Sequence, residues 1–203
     1  MARPDHDIDL GRGALLIAAH ANPDLDVEAE LAHLDDLATG AAPDDFNAWH
    51  HHVFTRLGFR GNAADYYDPR NSYLDDVVRR RVGIPITLAV VGMEIGRRLG
   101  VTLEGIGMPG HFLLRHARPE GLVYVDPFDG GLLDEAGCRA RFEQVYGGRL
   151  PFHDSFLGPA GPRAILGRML LNVENAFRRR RDLASAAWAA GLRLSVPGVS
   201  ERN

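Results

Sequence analysis

The chain has 203 residues, enough for one sizeable hydrophobic core with a small appendage, and its composition is that of an ordinary globular protein. A formal net charge of −4 argues against a nucleic-acid partner, and no apolar stretch approaches the roughly 20 residues that a membrane-spanning helix needs. The single cysteine, Cys138, excludes an intramolecular disulfide and a cysteine-based zinc cluster. Because the N-terminus lacks the apolar core of a signal peptide, we expect a cytoplasmic protein.

The first 56 residues predict short helices separated by turn residues. Apolar residues at helical spacing predict helices over residues 10–21 and 27–38. Two aspartates, which suit a helix N-terminus, precede a third predicted helix over residues 46–57. We expect residues 1–56 to form a helical N-terminal part whose first eight residues are loosely held.

The middle of the chain predicts a buried helix. A loop rich in turn formers, residues 61–71, precedes Ser72 and Asp75, which fit a capping box for a short helix. Pro85 then suits the first turn of a second helix, which extends to residue 99. This helix is apolar nearly all round, as is typical of a buried helix, and its Glu94 would need an arginine partner.

The remaining elements predict a hairpin of strands and a hairpin of helices. We expect strands at 101–107, 111–116 and 122–127, a turn at 117–120, helices at 134–146, 163–180 and 183–194, and a loop at 147–162. This order, helices followed by a helix with strands and then helices again, favours an α+β fold over a parallel α/β sheet.

Two polar residues, His111 and Asp126, are predicted at the same end of the strand hairpin. If His116 pairs with Gly121, His111 lies opposite Asp126, and directly opposed residues have Cβ atoms roughly 4.5–5.5 Å apart. A carboxylate at that distance would orient the imidazole and raise its basicity, as in a catalytic triad. The same pair could instead hold the hairpin end together without any chemistry.

Long stretches of the chain resemble the SirB1 family, whose core belongs to the transglutaminase-like superfamily. The stretches are LGFRGNAADYYDPRNSYLDDVVRRRVGIPITLAV, RLGVTLEGIGMPGHFLLR and VYVDPFDGG. The resemblance covers nearly the whole chain and implies a papain/transglutaminase-like core at residues 57–150, in which a buried helix packs on a small antiparallel sheet. Since family members often continue into tetratricopeptide repeats, it also implies that the helical hairpin at residues 163–203 begins such a region.

The resemblance implies a triad with one member missing. Enzymes of the superfamily use Cys, His and Asp in that chain order, with the cysteine near the start of the buried helix. His111 and Asp126 match the last two, but the nucleophile position falls at about Pro85. Thr87 and Cys138 are the residues that could replace the nucleophile, and each has an ordinary structural interpretation.

Three function hypotheses follow from this pattern. The first is a non-catalytic domain, a pseudoenzyme, that acts as a protein-interaction or regulatory module; the resemblance adds that a member occurs in a eukaryotic F-box protein, which suits a protein partner. The alternative is a hydrolase or acyltransferase that uses His111 and Asp126 with Thr87, Cys138 or an activated water. Metal-dependent chemistry at His111, Asp126 and another histidine is a third hypothesis, although we expect neither metal nor cofactor.

The loop before the buried helix has two interpretations. It is rich in polar and aromatic residues and, with Pro85, could form a binding rim beside His111. Alternatively, part of it forms a turn that satisfies its own hydrogen bonds around Asp68, Arg70 and Asn71. The candidate binding residues of this loop are Asp65, Tyr66, Tyr67, Asp68, Arg70 and Asn71.

Overall fold

The computed structural model describes residues 4–198, apart from the side chain of His6, so residues 199–203 of the expected C-terminal hairpin lie outside the described residues. The helices are α1 (Leu10–Ala21), α2 (Val27–Leu37), α3 (Phe46–His51), α4 (Leu74–Arg80), α5 (Pro85–Arg98), α6 (Glu135–Tyr146), α7 (Pro162–Arg179) and α8 (Leu183–Ser195). The strands are β1 (Arg60–Gly61), β2 (Val82–Gly83), β3 (Glu104–Ile106), β4 (Leu113–Arg118), β5 (Gly121–Asp126), β6 (Gly131–Leu133) and β7 (Pro159–Ala160). Between residues 4 and 198, no helix is both long and apolar enough to traverse a lipid bilayer.

The larger sheet is antiparallel, with strand order β6-β5-β4-β3-β7, while β1 and β2 form a separate parallel pair. Helix α5 packs on the larger sheet and is buried along most of its length, which confirms the expected α+β arrangement. Gly92 permits this close packing, because a Cβ there would lie 3.0 Å from Leu114 on β4 and 3.2 Å from Trp49. The indole N–H of Trp49 donates to the carbonyl of Gly92, which ties α3 to the same helix.

One hydrophobic core connects the N-terminal helices, α5, the sheet and α7. A second, smaller cluster lies between the sheet and α6 and includes Cys138 and Phe142. Glu94 is buried in α5 and has the arginine partners that were expected, since its Oε2 lies 2.6 Å from Arg98 and 3.1 Å from Arg97.

The β4–β5 hairpin has a tighter turn than the sequence suggested. Arg118 pairs with Gly121, whose φ of +135° lets a two-residue turn close, so the register is shifted by two residues from the expected one. The expected direct opposition of His111 and Asp126 is therefore wrong. Because residues two positions apart on a strand share a face, the shift leaves both side chains on the same side of the sheet.

Two helix ends also differ from expectation. The capping box at Ser72 is wrong, because α4 begins after Tyr73 and has no side-chain cap. Asp68 instead caps a preceding 3-10 turn by accepting a hydrogen bond from the backbone N–H of Arg70. The third helix, expected to continue to residue 57, changes after His51 into a π-helical turn, His52–Arg56.

Candidate functional site

His111 and Asp126 are in contact at one end of the sheet. Nε2 of His111 lies 2.9 Å from Oδ1 of Asp126, although the ring N–H does not point straight along this line. The side chain of Asp126 is 1% exposed, whereas that of His111 is 16% exposed. Nδ1 of His111 has no hydrogen-bond partner among the described residues and is the ring nitrogen left for a ligand.

Further groups hold the Asp126 carboxylate in place. The backbone N–H of Phe128 donates to Oδ1 over 2.9 Å, and Nε of Arg141 on α6 lies 3.1 Å from Oδ2. Burial raises the pKa of Asp126, but the close contact with His111 and its charge, the hydrogen bond from Phe128 and the charge of Arg141 outweigh burial and leave that pKa below its usual value. Asp126 is therefore ionised at neutral pH and can orient the imidazole.

An open cleft of about 400 Å³ lies beside His111. Clefts of roughly 300–1,000 Å³ with a few polar groups are typical of small-ligand sites. The apolar side chains that line it are Ile84, Pro85, Ile86, Pro109, Phe112 and Leu171, and the polar ones are Tyr66, His111, Tyr146, Arg168 and Asn172. His111 thus borders an accessible, partly polar space instead of a sealed apolar contact.

The start of α5 forms part of the same cleft. Pro85 is the first residue of this helix and lines the cleft together with His111. A proline is tolerated there because the first helical N–H has no intrahelical acceptor. Its ring carries no nucleophilic or ionisable atom, so the helix start beside His111 presents an apolar surface.

The residues considered as substitute nucleophiles are both buried. Thr87 is fully buried in α5 and does not line the cleft, and its hydroxyl has no hydrogen-bond partner among the described residues. Cys138 is fully buried in the cluster under α6. Burial, with the charges of Asp134, Glu135 and Asp126, raises the pKa of the Cys138 thiol to about 12, so the thiolate is scarce at neutral pH.

Most of the polar residues in the loop before α4 bind one another. Arg70 makes a two-pronged contact with Asp68, through Nε at 3.1 Å and Nη2 at 2.7 Å. The buried amide of Asn71 donates to the carbonyls of Asp65 and Tyr66. Asp68, Arg70 and Asn71 therefore build the self-satisfied turn, the second of the two interpretations.

Tyr66 is the residue of this loop that lines the cleft. Partial burial and the neighbouring Tyr67 raise the pKa of the Tyr66 hydroxyl, and Arg168 opposes that shift. Asp65 instead pairs with Arg180 at the end of α7, at 2.6 Å. Tyr67 packs under the guanidinium of Arg179 and borders a separate groove on α7.

Arg168 on α7 is the cleft residue that sequence reasoning missed. Its Nη2 donates to the carbonyl of Met108 over 2.9 Å and to the carbonyl of His111 over 2.7 Å, so it positions the loop that carries His111. Burial lowers the pKa of Arg168, while Tyr66 and Tyr146 oppose the shift. A signal was present in the sequence, since Arg168 lies one helical turn from the apolar Ile165 and so on the inward face of α7.

The three consecutive histidines on α3 and the following turn have separate environments. Nε2 of His50 bonds the carbonyl of Gly130 and Nε2 of His52 bonds that of Leu37, while His51 is exposed. Over residues 4–198, no group of three or more His, Cys, Asp or Glu side chains is placed to hold a metal ion.

Comparison with known proteins gives matches to one family and its relatives. Residues 20–171 match the family described as Transglutaminase-like superfamily. A UPF0162 protein of Xylella fastidiosa is 39% identical over 97% of this chain and 75% of its own length, and one of Vibrio cholerae is 30% identical over 94% of this chain and 76% of its own length. Human F-box only protein 21 is 38% identical over 45% of this chain and 14% of its own length. No solved structure matches the chain.

Proposed function

This chain belongs to the transglutaminase-like superfamily and to the UPF0162 family, and from that premise we propose that it is a non-catalytic member whose cleft binds a partner protein. One observation carries the proposal. Where α5 meets His111, the cleft is lined by Pro85, which cannot act as a nucleophile, while Thr87 and Cys138 are buried. A base and its orienter thus face a cleft with no cysteine, serine or threonine among its described lining residues.

Within this proposal the cleft residues have distinct roles. Tyr66 and Pro85 contact the partner, His111 offers Nδ1 as a hydrogen-bonding group, and Asp126 fixes the ring. Asp68, Arg70 and Asn71 hold the loop in shape. That human F-box only protein 21 shares 38% identity over part of this chain is compatible with use of the domain beside other protein modules.

The finer organisation is also a proposal. We assign the chain to the SirB1 type of this superfamily and to the cytoplasm. Its parts are an N-terminal part at 1–56, a core at 57–150 and a hairpin at 163–203 that begins a tetratricopeptide-like region. We propose that these parts form one compact unit. Support comes from the core that connects the N-terminal helices, α5 and α7, and from the α7–α8 pair, which packs as an antiparallel helical hairpin with a short connection.

A second candidate function rests on the contact between His111 and Asp126. Nε2 of His111 faces an ionised carboxylate, which leaves Nδ1 free to take a proton from a water in the cleft. A hydrolase that uses an activated water needs only such a base and an orienter. This alternative predicts turnover that depends on His111 and on neither Thr87 nor Cys138.

A turnover assay separates the two functions. The purified protein is incubated with a peptide library, with and without a primary amine as acyl acceptor, and the products are analysed by mass spectrometry. We expect neither hydrolysis nor transamidation. Turnover that His111→Ala abolishes and His33→Ala retains would overturn the non-catalytic proposal, since His33 is a surface residue on α2 away from the cleft.

A further inference from the structure

Arg168 carries a positive charge into the cleft without a carboxylate to balance it. Among the described residues it makes no ion pair, and the only ionisable groups that influence its pKa are the hydroxyls of Tyr66 and Tyr146. By contrast, Arg141 nearby is paired with Asp126 and Asp129. A partly buried guanidinium loses favourable hydration, and an anion in the cleft would compensate that loss.

The free N–H groups of Arg168 are available to such an anion. Nη2 is used by the carbonyls of Met108 and His111, whereas Nε and Nη1 have no acceptor among the described residues. The contacts of Nη2 and the packing of the guanidinium 5.5 Å from the Phe112 ring hold it in place, so binding an anion does not require ordering a flexible side chain.

The charges around the cleft favour an anion with a single charge. Arg168 supplies one positive charge, while Asp126, Asp129 and Arg141 behind His111 together leave one negative charge. A phosphomonoester carries nearly two charges at neutral pH and would be repelled more by these carboxylates. A carboxylate carries one charge, and one of its oxygens can accept a charge-assisted hydrogen bond from Nη1 or Nε of Arg168.

We propose that the cleft binds the C-terminal carboxylate of a partner chain, with Arg168 as its counter-ion. This inference rests on the proposed function and names the chemical group that the partner presents. The partly exposed apolar residues that line the cleft, Pro109 and Leu171, suit an apolar side chain next to the terminus. Tyr66, Tyr146 and Asn172 supply hydroxyl and amide groups for the carboxylate and the neighbouring peptide bond.

The test compares two pools of short fluorescent peptides that differ only at the C-terminus. Both pools are randomised at the last two positions among uncharged residues; one ends in a free acid and the other in an amide. Binding to the intact protein is measured by fluorescence anisotropy. We expect the acid pool to bind about tenfold more tightly or better, with an advantage that shrinks as the NaCl concentration is raised from about 0.05 M to about 0.5 M.

Variants assign the effect to the cleft. Arg168→Gln should remove the advantage of the acid pool, whereas Arg139→Gln, the same change at an exposed arginine on α6, should leave it intact. Thermal unfolding checks that Arg168→Gln is folded. Tyr146→Phe removes only a hydroxyl beside Arg168 and should weaken acid binding severalfold, so it provides the test if Arg168→Gln does not fold.

The outcomes separate this inference from the proposed function. Equal affinity for the acid and amide pools, or no binding of either, overturns the carboxylate inference. If 3-phenylpropanoate competes as strongly as the acid pool, the ligand is a small carboxylic acid and the chain-end assignment is overturned. Turnover of the same peptides would overturn the non-catalytic proposal, while a preference for the acid pool would still stand.

Discussion

Nε2 of His111 lies 2.9 Å from Oδ1 of Asp126, and His111 lines an open cleft. Nδ1, the other ring nitrogen, has no hydrogen-bond partner among the described residues. This relationship orients an imidazole as a catalytic base would be oriented. The start of α5, which borders the same cleft, supplies Pro85 where an acyl-transfer enzyme needs a nucleophile. Whether the site catalyses a reaction therefore depends on whether a base and its orienting carboxylate can act without a nucleophilic side chain.

Replacing Asp126 should change how stability depends on pH. The pKa of Asp126 is below that of an unfolded aspartate, about 3.9, so acid favours the unfolded chain. The stabilisation that ionised Asp126 gives to the folded protein is complete above the unfolded-state pKa of about 3.9 and is lost as pH falls through the lower folded-state pKa. Asp126→Asn should lower the free energy of unfolding at pH 7 by about 2 kcal/mol and make its decline below about pH 5 shallower.

Denaturant unfolding at a series of pH values measures this effect. Asp24→Asn, at an exposed position, is the matched control and should follow the wild-type curve. The pKa of Asp68 is also lowered, because its hydrogen bonds and ion pairs with Arg70 and Arg80 outweigh burial. Asp68 therefore preserves part of the pH dependence of the unfolding free energy in both variants. Identical pH profiles for wild type and Asp126→Asn would contradict the electrostatic description of the site.

The thiol of Cys138 should be unreactive in the folded protein. It is fully buried, and burial raises its pKa to about 12, so both access and thiolate are lacking at pH 8. Iodoacetamide should modify it only after unfolding in guanidinium chloride, with intact mass as the readout. Rapid, complete modification of the native protein would instead support a catalytic role for this cysteine.

Gly110 should be needed for the shape of the loop that carries His111. Its φ is +73°, and a Cβ there would lie 2.7 Å from Val145 and 3.2 Å from Tyr146. Gly148 has a similar φ of +75° but nothing within 4 Å of a Cβ, which makes it a matched control. Gly148→Ala should cost about 1 kcal/mol of unfolding free energy through backbone strain, and Gly110→Ala about 1 kcal/mol more through crowding.

Equilibrium urea unfolding of the two variants separates strain from crowding. The additional cost at Gly110 is modest because Val145 is 43% exposed and can move. Equal losses of unfolding free energy for Gly110→Ala and Gly148→Ala would mean that α6 does not crowd this loop.

The parts of the fold that depend on local chemistry could be predicted from the sequence. Helix α1 has the predicted bounds, and α5 begins at Pro85, because apolar spacing and a first-turn proline act within a few residues. The hairpin register could not be obtained in this way. It depends on whether Gly121 closes a two-residue or a longer turn, and both alternatives leave His111 and Asp126 on one face.

The cleft itself was only half predictable. The resemblance located His111, Asp126 and the helix start, since these occur in specific contiguous stretches. Arg168 lies 57 residues beyond His111 and enters the cleft only because α7 packs across the core. Long-range packing of this kind leaves little trace in one sequence beyond a charged residue on an apolar helix face.

The measurement that tests the central claim most directly is the reactivity of a thiol introduced by Pro85→Cys, in a Cys138→Ala background, toward iodoacetamide across pH 5–9. If the start of α5 is the vacant nucleophile position beside His111, the introduced thiol should react at pH 6 about tenfold faster than one introduced by Ala64→Cys in the exposed loop, and His111→Ala should remove that advantage. Equal rates at the two positions, unaffected by His111→Ala, would contradict the claim that this cleft is a transglutaminase-like site lacking only its nucleophile.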